Sequence, residues 1–354
     1  MAGGAGPSGP GVRFIRPLRD FLAAEAAGGA VLLVAAAVAL VWANSPWKAS
    51  YNDLWTTRLS IGLGDHVLAL DLRHWVNEGL MTVFFFVVGL EIKRELVEGE
   101  LRQPRQAALP AIAAVGGMVV PAVIYALINL DGAGSRGWAI PMSTDIAIAV
   151  GVLSLLGRRA SPGLKLFVLA VAIVDDIGAI AVIAVFYGGG VSAAILGAVL
   201  GLLVPARRRR PGAASMAERL EHAFHPWSSF VVIPIFALAN AGIGVSVSAL
   251  RDAGSSSVSL GVVLGLVIGK FIGVLGASWL AIRVGIGTVP GDVRMRDLLG
   301  GAAVCGIGFT VSIFVAGLAF TDAHLIEQAK VGILAASVVS AVVGAAILWR
   351  AQPT

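Results

Sequence analysis

The sequence predicts an all-α membrane protein that crosses the bilayer several times. Of its 354 residues, 57% are apolar and only 13% are charged, and the mean hydropathy is +0.88. Soluble domains carry about 25% charged residues, because a globule needs a polar surface. The apolar residues also form runs close to the roughly 20 residues that a helix needs to cross a bilayer. The composition argues against a soluble enzyme or a disordered chain, and the single cysteine excludes an internal disulfide.

Ten apolar runs predict ten membrane-spanning helices. The sixth run is the shortest, and whether it is a crossing is decided by the charges on either side of it. In chain order the predicted spans are 24–43, 75–97, 108–130, 138–156, 165–187, 190–205, 226–244, 258–284, 297–320 and 327–350.

The cations are divided unequally between the two sides that these spans define. Lys and Arg accumulate on the cytoplasmic side of membrane proteins. With both termini in the cytoplasm, 19 cations fall on that side and six on the other, while Lys270 lies within a span. Without the sixth crossing the arginine run 207–210 would face outward, so the sequence favours a crossing there. The pI near 9.8 is therefore interpreted as a topology signal, with nucleic-acid binding as the weaker alternative.

The predicted membrane domain, 24–350, is accompanied by four segments outside the lipid. Residues 1–23 are expected to form a cytoplasmic tail and 351–354 a C-terminal tail. The loose alternation within 54–74 predicts an external β-hairpin, which is marginally stable alone and is expected to pair, for example with a second copy of the chain. Residues 206–222 are expected to form a basic cytoplasmic loop.

Four ionisable side chains fall near the middle of predicted spans. Asp145 lies in the fourth span, Asp175 and Asp176 in the fifth, and Lys270 in the eighth. Each charge at that depth costs about 2.5–3.5 kcal/mol on insertion scales. Such residues persist when they face the protein interior and compensate one another, so the sequence predicts that they form one cluster.

The chemistry of this cluster predicts competition between protons and a small cation. Two adjacent carboxylates in a medium of low dielectric constant do not both ionise easily. Hard cations prefer oxygen ligands, which Asp175, Asp176, the Thr144 hydroxyl and free backbone carbonyls supply. For Asp145 alone, a structural hydrogen bond between helices is an equal alternative.

Two predicted spans contain helix-breaking residues. Pro141 lies just before Thr144 and Asp145 in the fourth span, and Gly306 and Gly308 lie at the middle of the ninth. Irregular backbone is tolerated at membrane depth where it borders a cavity. For the two glycines, close helix packing is the alternative.

The two broken spans occupy matching places in two halves of the chain. The helix triples 108–187 and 258–350 begin on opposite sides of the membrane, so they are inverted repeats. Broken helices at matching positions of inverted repeats indicate a transport site where the breaks cross, near the bilayer midplane.

Five stretches of the sequence resemble the NhaA family of bacterial sodium/proton antiporters. The likeness extends from about Arg13 to Trp349. It implies an inverted-repeat antiporter fold in the bacterial inner membrane, with no enzymatic activity and no cofactor. It also implies electrogenic export of sodium or lithium, with more than one proton imported per ion, for pH and sodium homeostasis. The stretches are WVNEGLMTVFFFVVGLEIKREL (75–96), STDIAIAVGVLSLLG (143–157), LAVAIVDDIGAIAVIAVFY (169–187), GKFIGV (269–274) and CGIGFTVSIFVAGLAF (305–320).

The resemblance also implies roles for single residues. Asp176 corresponds to the family's principal cation-binding aspartate. Asp175 corresponds to its neighbour, which pairs with the lysine matched by Lys270. Thr144 and Asp145 correspond to the threonine and aspartate at the crossing, where the aspartate balances the half-helix dipoles.

Three glutamates and the hairpin are matched more loosely. Glu78 stands where the family often carries an aspartate. Glu91 and Glu221 fall in the cytoplasmic region that the family associates with the response to pH. The segment 54–74 corresponds to the family's dimer hairpin, so the resemblance implies a homodimer.

The chain departs from the family pattern in one place. Family members usually have twelve spans, and about two of them are inserted where this chain passes from Tyr187 to Ala194. Without these two spans, every later segment remains on the same side of the membrane. The missing spans also lie outside both inverted triples. We therefore expect an intact ion site, while the transport rate or the response to pH can differ.

Three other classes of membrane protein are weaker alternatives. An intramembrane aspartyl protease also needs acidic groups in lipid, but the fragment GLGD at 62–65 lies in the predicted hairpin. An organic-anion symporter with inverted repeats would be distinguished by flux measurements in vesicles. A purely structural protein is disfavoured by the cost of the four central charges.

Overall fold

The computed structural model describes residues 11–63, 66–99, 102–187, 193–206, 214–244, 247–289 and 293–350. Within these ranges the protein consists of helices and one two-stranded antiparallel sheet, which confirms the predicted fold class. Several predicted features lie outside the described residues, namely the stretch 1–10, the GLGD residues 64–65, the arginine run 207–210 and the tail 351–354.

The first half of the chain supplies the helices of five predicted spans. The aspartate helix is named for Asp175 and Asp176, and the glutamate helix for Glu78 and Glu91. In order, the elements are the N-terminal helix (Gly11–Ala43), helix Lys48–Thr56, strands Arg58–Leu63 and His66–Asp71, the glutamate helix (72–97), helix Pro104–Ile128, the first broken helix (Ala133–Met142 and Ile146–Leu155) and the aspartate helix (Pro162–Tyr187).

The second half supplies the helices of the other five. The histidine helix is named for His225 and the lysine helix for Lys270. In order, the elements are helix Ala193–Leu203, the histidine helix (Met216–Asn240), helix Val247–Ser255, the lysine helix (Ser257–Arg283), the second broken helix (Met295–Val304 and Phe309–Ala319) and the C-terminal helix (Ala323–Arg350).

Local capping fixes where the functional helices begin. Ser161 accepts a hydrogen bond from the Leu164 amide at 3.2 Å, and Pro162 takes the first helical position of the aspartate helix. Ser215 and Glu218 form a capping box at the start of the histidine helix. These contacts satisfy amides that have no partner within the helix.

Length and composition support a protein with many membrane crossings. Among the described residues, six helices are long and apolar enough to cross a bilayer, and eight if each bent pair counts as one span. The two predicted spans that fail this test are the glutamate helix, which carries charges near both ends, and Ala193–Leu203, which has only 11 residues. Large apolar side chains are exposed on outer helix faces, as contact with lipid requires, among them Val41, Leu155, Val185 and Leu203.

Helices extend into three of the segments predicted to lie outside the lipid, although the candidate span of the first helix, Ala24–Ala43, has the predicted bounds. The N-terminal helix begins at Gly11, inside the expected tail 1–23. The histidine helix begins at Met216, inside the expected loop 206–222, because its first turns are amphipathic and a search for apolar runs does not detect them. The first residues of the expected hairpin, 54–56, end the helix Lys48–Thr56 instead.

The hairpin that does form is short and regular. Its strands pair from Arg58 with Asp71 to Leu63 with His66. The Leu72 amide donates to the Thr57 carbonyl at 3.0 Å, so the two ends of the hairpin lie side by side. The hairpin leads directly into the glutamate helix.

Close helix contacts in the core depend on glycine. A Cβ added at Gly273 in the lysine helix would lie 2.2 Å from the Gly116 carbonyl oxygen, and one at Gly116 would lie 2.4 Å from the Gly273 carbonyl oxygen. The two backbones therefore approach as only small residues allow. This contact lies one turn away from Lys270 and fixes the position of the lysine helix there.

Candidate functional site

The two broken helices meet at their interruptions. The first is interrupted at 143–145 with a bend of 45°, and the second at 305–308 with a bend of 43°. Pro141 lies just before the first interruption, while Gly306 and Gly308 lie within the second. The bends occur where the sequence predicted them, between half-helices that end in mid-core.

Backbone groups freed by one interruption are satisfied by the other. The Asp145 amide donates to the Ile307 carbonyl at 2.6 Å, and the Thr144 hydroxyl lies 2.9 Å from the Cys305 carbonyl. Ser312 donates through its hydroxyl to the Ile140 carbonyl at 2.7 Å. Because a buried carbonyl without a partner is costly, these exchanges stabilise the crossing.

Asp175 and Lys270 form a fully buried ion pair beside this crossing. The Lys270 ammonium donates to Oδ2 of Asp175, and both side chains have no exposed surface. The Thr144 hydroxyl lies 2.8 Å from the same oxygen. Burying two charges is costly unless each is compensated, and here the pair and the hydroxyl supply that compensation.

Asp176 occupies a different environment one residue along the aspartate helix. It is 4% exposed and lines a cavity of about 40 Å³, which we call the inner cavity. Thr144, Asp145 and Thr310 line the same cavity. Among the described residues, neither Oδ1 of Asp175 nor Oδ1 of Asp176 has a hydrogen-bond partner. Buried carboxylate oxygens without donors are suited to bind a cation or a proton.

Asp145 has both carboxylate oxygens engaged. Oδ1 accepts from the Ile148 amide at 3.0 Å, and Oδ2 accepts from the Thr310 amide at 3.0 Å and from the Thr310 hydroxyl. The side chain is 3% exposed. Asp145 therefore caps the second half of each broken helix, where the amides carry partial positive charge.

A second charged cluster lies at the end of the inner cavity that is predicted to be cytoplasmic. His225 contacts Glu25 at 2.6 Å and Glu91 at 3.7 Å, and Arg94 contacts Glu221 at 2.7 Å. Of these residues, Glu91 and Glu221 were predicted site residues. The structure brings them together with three groups that the sequence analysis did not select.

Glu78 lies elsewhere. It lines a cavity of about 610 Å³ on the opposite side, the outer cavity, together with Arg73 and Lys330. Three aromatic rings pack together beside the outer cavity. The Phe85 and Phe314 rings are tilted, with centroids 5.3 Å apart, and the Phe236 and Phe314 rings meet edge to face, with centroids 6.4 Å apart. Phe236 and Phe314 line the outer cavity, whereas Asp176 lines the inner cavity.

The residues that sequence analysis missed had weak individual signals. Thr310 is one of many hydroxyls in apolar spans, although it belongs to the stretch CGIGFTVSIFVAGLAF. Glu25 stands at the start of a predicted span, where a carboxylate is expected to reach the interface. His225 precedes the seventh predicted span by one residue and was assigned no role.

Comparison with known proteins shows what the chain is similar to. A profile of the family described as Na+/H+ antiporter 1 matches residues 19–189 and 188–348. The chain is 43% identical to Na(+)/H(+) antiporter NhaA 3 of Frankia alni, an alignment covering 96% of this chain and 91% of that protein. Identity to Na(+)/H(+) antiporter NhaA of Bordetella parapertussis is also 43%, and to that of Proteus mirabilis 42%, each over 95% of this chain and 97% of the relative.

The alignments also bear on the expected shortening. They extend over 420 positions for the Frankia protein and 386 for the other two, although this chain has 354 residues. These relatives therefore contain segments without a counterpart here. The two matches to the family profile meet at 188–189, within the stretch where two helices are expected to be missing.

Proposed function

Because the chain belongs to the Na+/H+ antiporter 1 family, that of the NhaA antiporters, we propose that it exchanges sodium ions for protons across the bacterial inner membrane. The family is one of secondary transporters, and the many apolar helices of this chain suit that activity. In this proposal both termini face the cytoplasm, and sodium leaves the cell as protons enter.

The observation that carries the proposal is one carboxylate oxygen on each of Asp175 and Asp176 that has no hydrogen-bond partner in the described part of the chain. A sodium ion is coordinated by several oxygen ligands, whereas a proton binds to one. Both find them at the same atoms, so binding of one ion excludes the other. Thr144 is positioned to add a hydroxyl oxygen to the sodium site.

Lys270 supplies the competing charge at Asp175. When the site is empty of sodium, the ammonium compensates the Asp175 carboxylate. A sodium ion takes over that compensation and weakens the contact to Lys270. The Thr144 hydroxyl has one proton but two acceptors within 2.9 Å, Asp175 Oδ2 and the Cys305 carbonyl, so it can turn from one to the other as the ion pair loosens.

Alternating access completes the cycle. In this cycle the described arrangement, in which Asp176 lines the inner cavity, is the state open toward the cytoplasm, and the contact between Phe85 and Phe314 closes the path outward. We propose that rocking of the inverted triples opens the aromatic contact and exposes the site outside. The triples rock when sodium or protons neutralise the charge of the site, and they do not rock when that charge is left without a counter-ion.

The remaining properties of the proposal follow from the charges of the site. Lithium, a smaller hard cation, would use the same oxygens. Two carboxylates and one ammonium can take up more than one proton for each sodium released, which makes the exchange electrogenic.

Glu91 and Glu221, with the charged groups around them, are proposed to transmit the cytoplasmic pH to the site, and Glu78 is proposed to line the outer path. The hairpin is proposed to join two copies of the chain.

The decisive experiment is flux in proteoliposomes. Wild-type protein is expected to move protons when sodium or lithium is added, with little response to potassium. Asp176→Asn removes the ionisable oxygen and is expected to abolish this flux while the protein still folds, as judged by monodisperse elution and unchanged helical circular dichroism. Asn retains the size of the side chain, so packing is preserved.

The same measurement separates the alternatives. Full sodium-dependent flux in Asp176→Asn would contradict the assignment of Asp176. An organic-anion symporter would show no proton movement on addition of sodium alone. Asp53→Asn, an exposed carboxylate on helix Lys48–Thr56, is the matched control and is expected to transport as the wild type does.

A further inference from the structure

The three acidic side chains at the crossing differ in how many donors they receive. Asp145 accepts three hydrogen bonds through its two oxygens, whereas one oxygen each of Asp175 and Asp176 has no partner among the described residues. All three are nearly or fully buried. A carboxylate whose oxygens are occupied by donors has less to offer a cation than one with free oxygens.

The donors to Asp145 come from two separate half-helices. The Ile148 amide belongs to the first turn of Ile146–Leu155, and the Thr310 amide to the first turn of Phe309–Ala319. The ends of these half-helices carry partial positive charge that would repel a nearby cation. A negative charge fixed between them cancels that repulsion.

Thr310 contributes more than its backbone. Its hydroxyl donates to the same Oδ2 that its amide contacts, and it is the one side-chain donor to Asp145 within the described part of the chain. Thr310 is 5% exposed and lines the inner cavity with Asp176 and Thr144. It therefore joins the second broken helix to the first at the edge of the ion site.

We propose that Thr310 is a positioning residue for sodium/proton exchange. Its hydroxyl holds the Asp145 carboxylate against both half-helix ends, so that Asp145 neutralises them and stays out of the coordination of sodium. Sodium is then left to Asp175, Asp176 and Thr144. This inference rests on the proposed exchange function and adds a residue to which no role in it had been assigned.

Loss of the hydroxyl has a defined consequence. In Thr310→Val the carboxylate loses a hydrogen bond to a charged group, a stronger class of hydrogen bond than one between neutral groups. Asp145 can then turn away from the second half-helix, and its neighbour Thr144 moves with it. The half-helix end is less compensated and the sodium ligands are displaced, so sodium binds more weakly.

The test is the dependence of proton flux on sodium concentration in proteoliposomes. Thr310→Val is expected to raise the apparent KM for sodium about fivefold or more, with a maximal rate that changes less. Thr310→Ser keeps the hydroxyl and is expected to restore the wild-type KM. Thr82→Val is the matched control, because the hydrogen bond that the Thr82 hydroxyl makes to a described residue stays within its own helix, to the Glu78 carbonyl at 2.5 Å.

The experiment distinguishes failure of the positioning role from failure of the proposed exchange function. If the wild type shows no sodium-driven proton flux, the proposed function fails. If the wild type does show this flux, two results would reject the positioning role. One is a KM for sodium in Thr310→Val within about twofold of the wild-type value, and the other is a shift of KM in Thr310→Ser as large as that in Thr310→Val. If Thr310→Val does not yield folded protein, Thr310→Ala is compared with Thr310→Ser by the same criterion, together with the rise in melting temperature that sodium produces.

Discussion

Asp175 and Asp176 are consecutive residues with different surroundings. Asp175 faces Lys270 and Thr144 in a fully buried site, while Asp176 faces the inner cavity. Consecutive residues of a helix point about 100° apart, so one carboxylate reaches the lysine helix while the other reaches the inner cavity. The sequence identified both because charge at mid-membrane depth is costly, but the difference between them depends on which helices surround them.

The buried ion pair makes a prediction about stability. Lys270→Ala leaves Asp175 buried without its cation, which is expected to destabilise the protein by about 3–5 kcal/mol if the carboxylate stays charged. The double variant Lys270→Ala/Asp175→Asn removes the stranded charge and is expected to melt at a higher temperature than the single variant. Thermal unfolding in detergent measures both, with Lys48→Ala, an exposed lysine, as the control.

Transport measurements on the same variants address the mechanism. Lys270→Ala is expected to reduce the charge moved per cycle, measured as current on a supported membrane. A single variant with the wild-type melting temperature and current would remove Lys270 from the site. A double variant less stable than the single one would contradict the stranded-charge explanation.

Individual helices depend on contacts between small residues as well as on their overall apolarity. The lysine helix and helix Pro104–Ile128 touch through Gly273 and Gly116, and the same contact fixes the height of Lys270 in the core. The sequence predicted both helices from apolar runs. It did not predict which glycines make contact, because that depends on the relative rotation of two separate helices.

Two glycines of the lysine helix provide a matched pair of substitutions. Gly273→Ala places a Cβ 2.2 Å from the Gly116 carbonyl oxygen, whereas a Cβ at Gly276 meets nothing within 4 Å. Overpacking of this kind typically costs about 1–3 kcal/mol, while alanine in an open helical position is neutral or slightly stabilising. We expect Gly273→Ala to lower the melting temperature and the sodium-dependent flux, and Gly276→Ala to lower neither. Equal melting temperatures for the two variants would show that the close contact does not matter.

The whole molecule has two features that no single helix explains. Rings from three different helices, Phe85, Phe236 and Phe314, pack together beside the outer cavity. Its hairpin presents Leu59 and Ile61 with about half of each side chain exposed, at 46% and 56%. An exposed two-stranded ribbon with apolar side chains is suited to pair with another chain.

The hairpin yields a prediction about assembly. Because the Thr57 carbonyl and Leu72 amide already touch, residues 58–71 can be replaced by a short Gly–Ser linker without moving the flanking helices. The wild type is expected to have the mass of two copies in detergent, and the shortened variant the mass of one with sodium/proton exchange retained. Light scattering with correction for detergent measures the mass. A shortened variant that stays dimeric would show that another surface joins the copies.

The sequence by itself determined the class of the molecule, the approximate spans, the two helix interruptions and the four central charges, because lipid imposes strong and local penalties on charge and on free backbone groups. The family likeness implied roles for those charges. Only the tertiary structure decided that Thr310 donates to Asp145, that Glu25 and His225 join Glu91, and that Glu78 lies in the other cavity. These relations join residues far apart in the chain, and hydrogen-bond partners at that distance are set by how the helices pack, which no local pattern encodes.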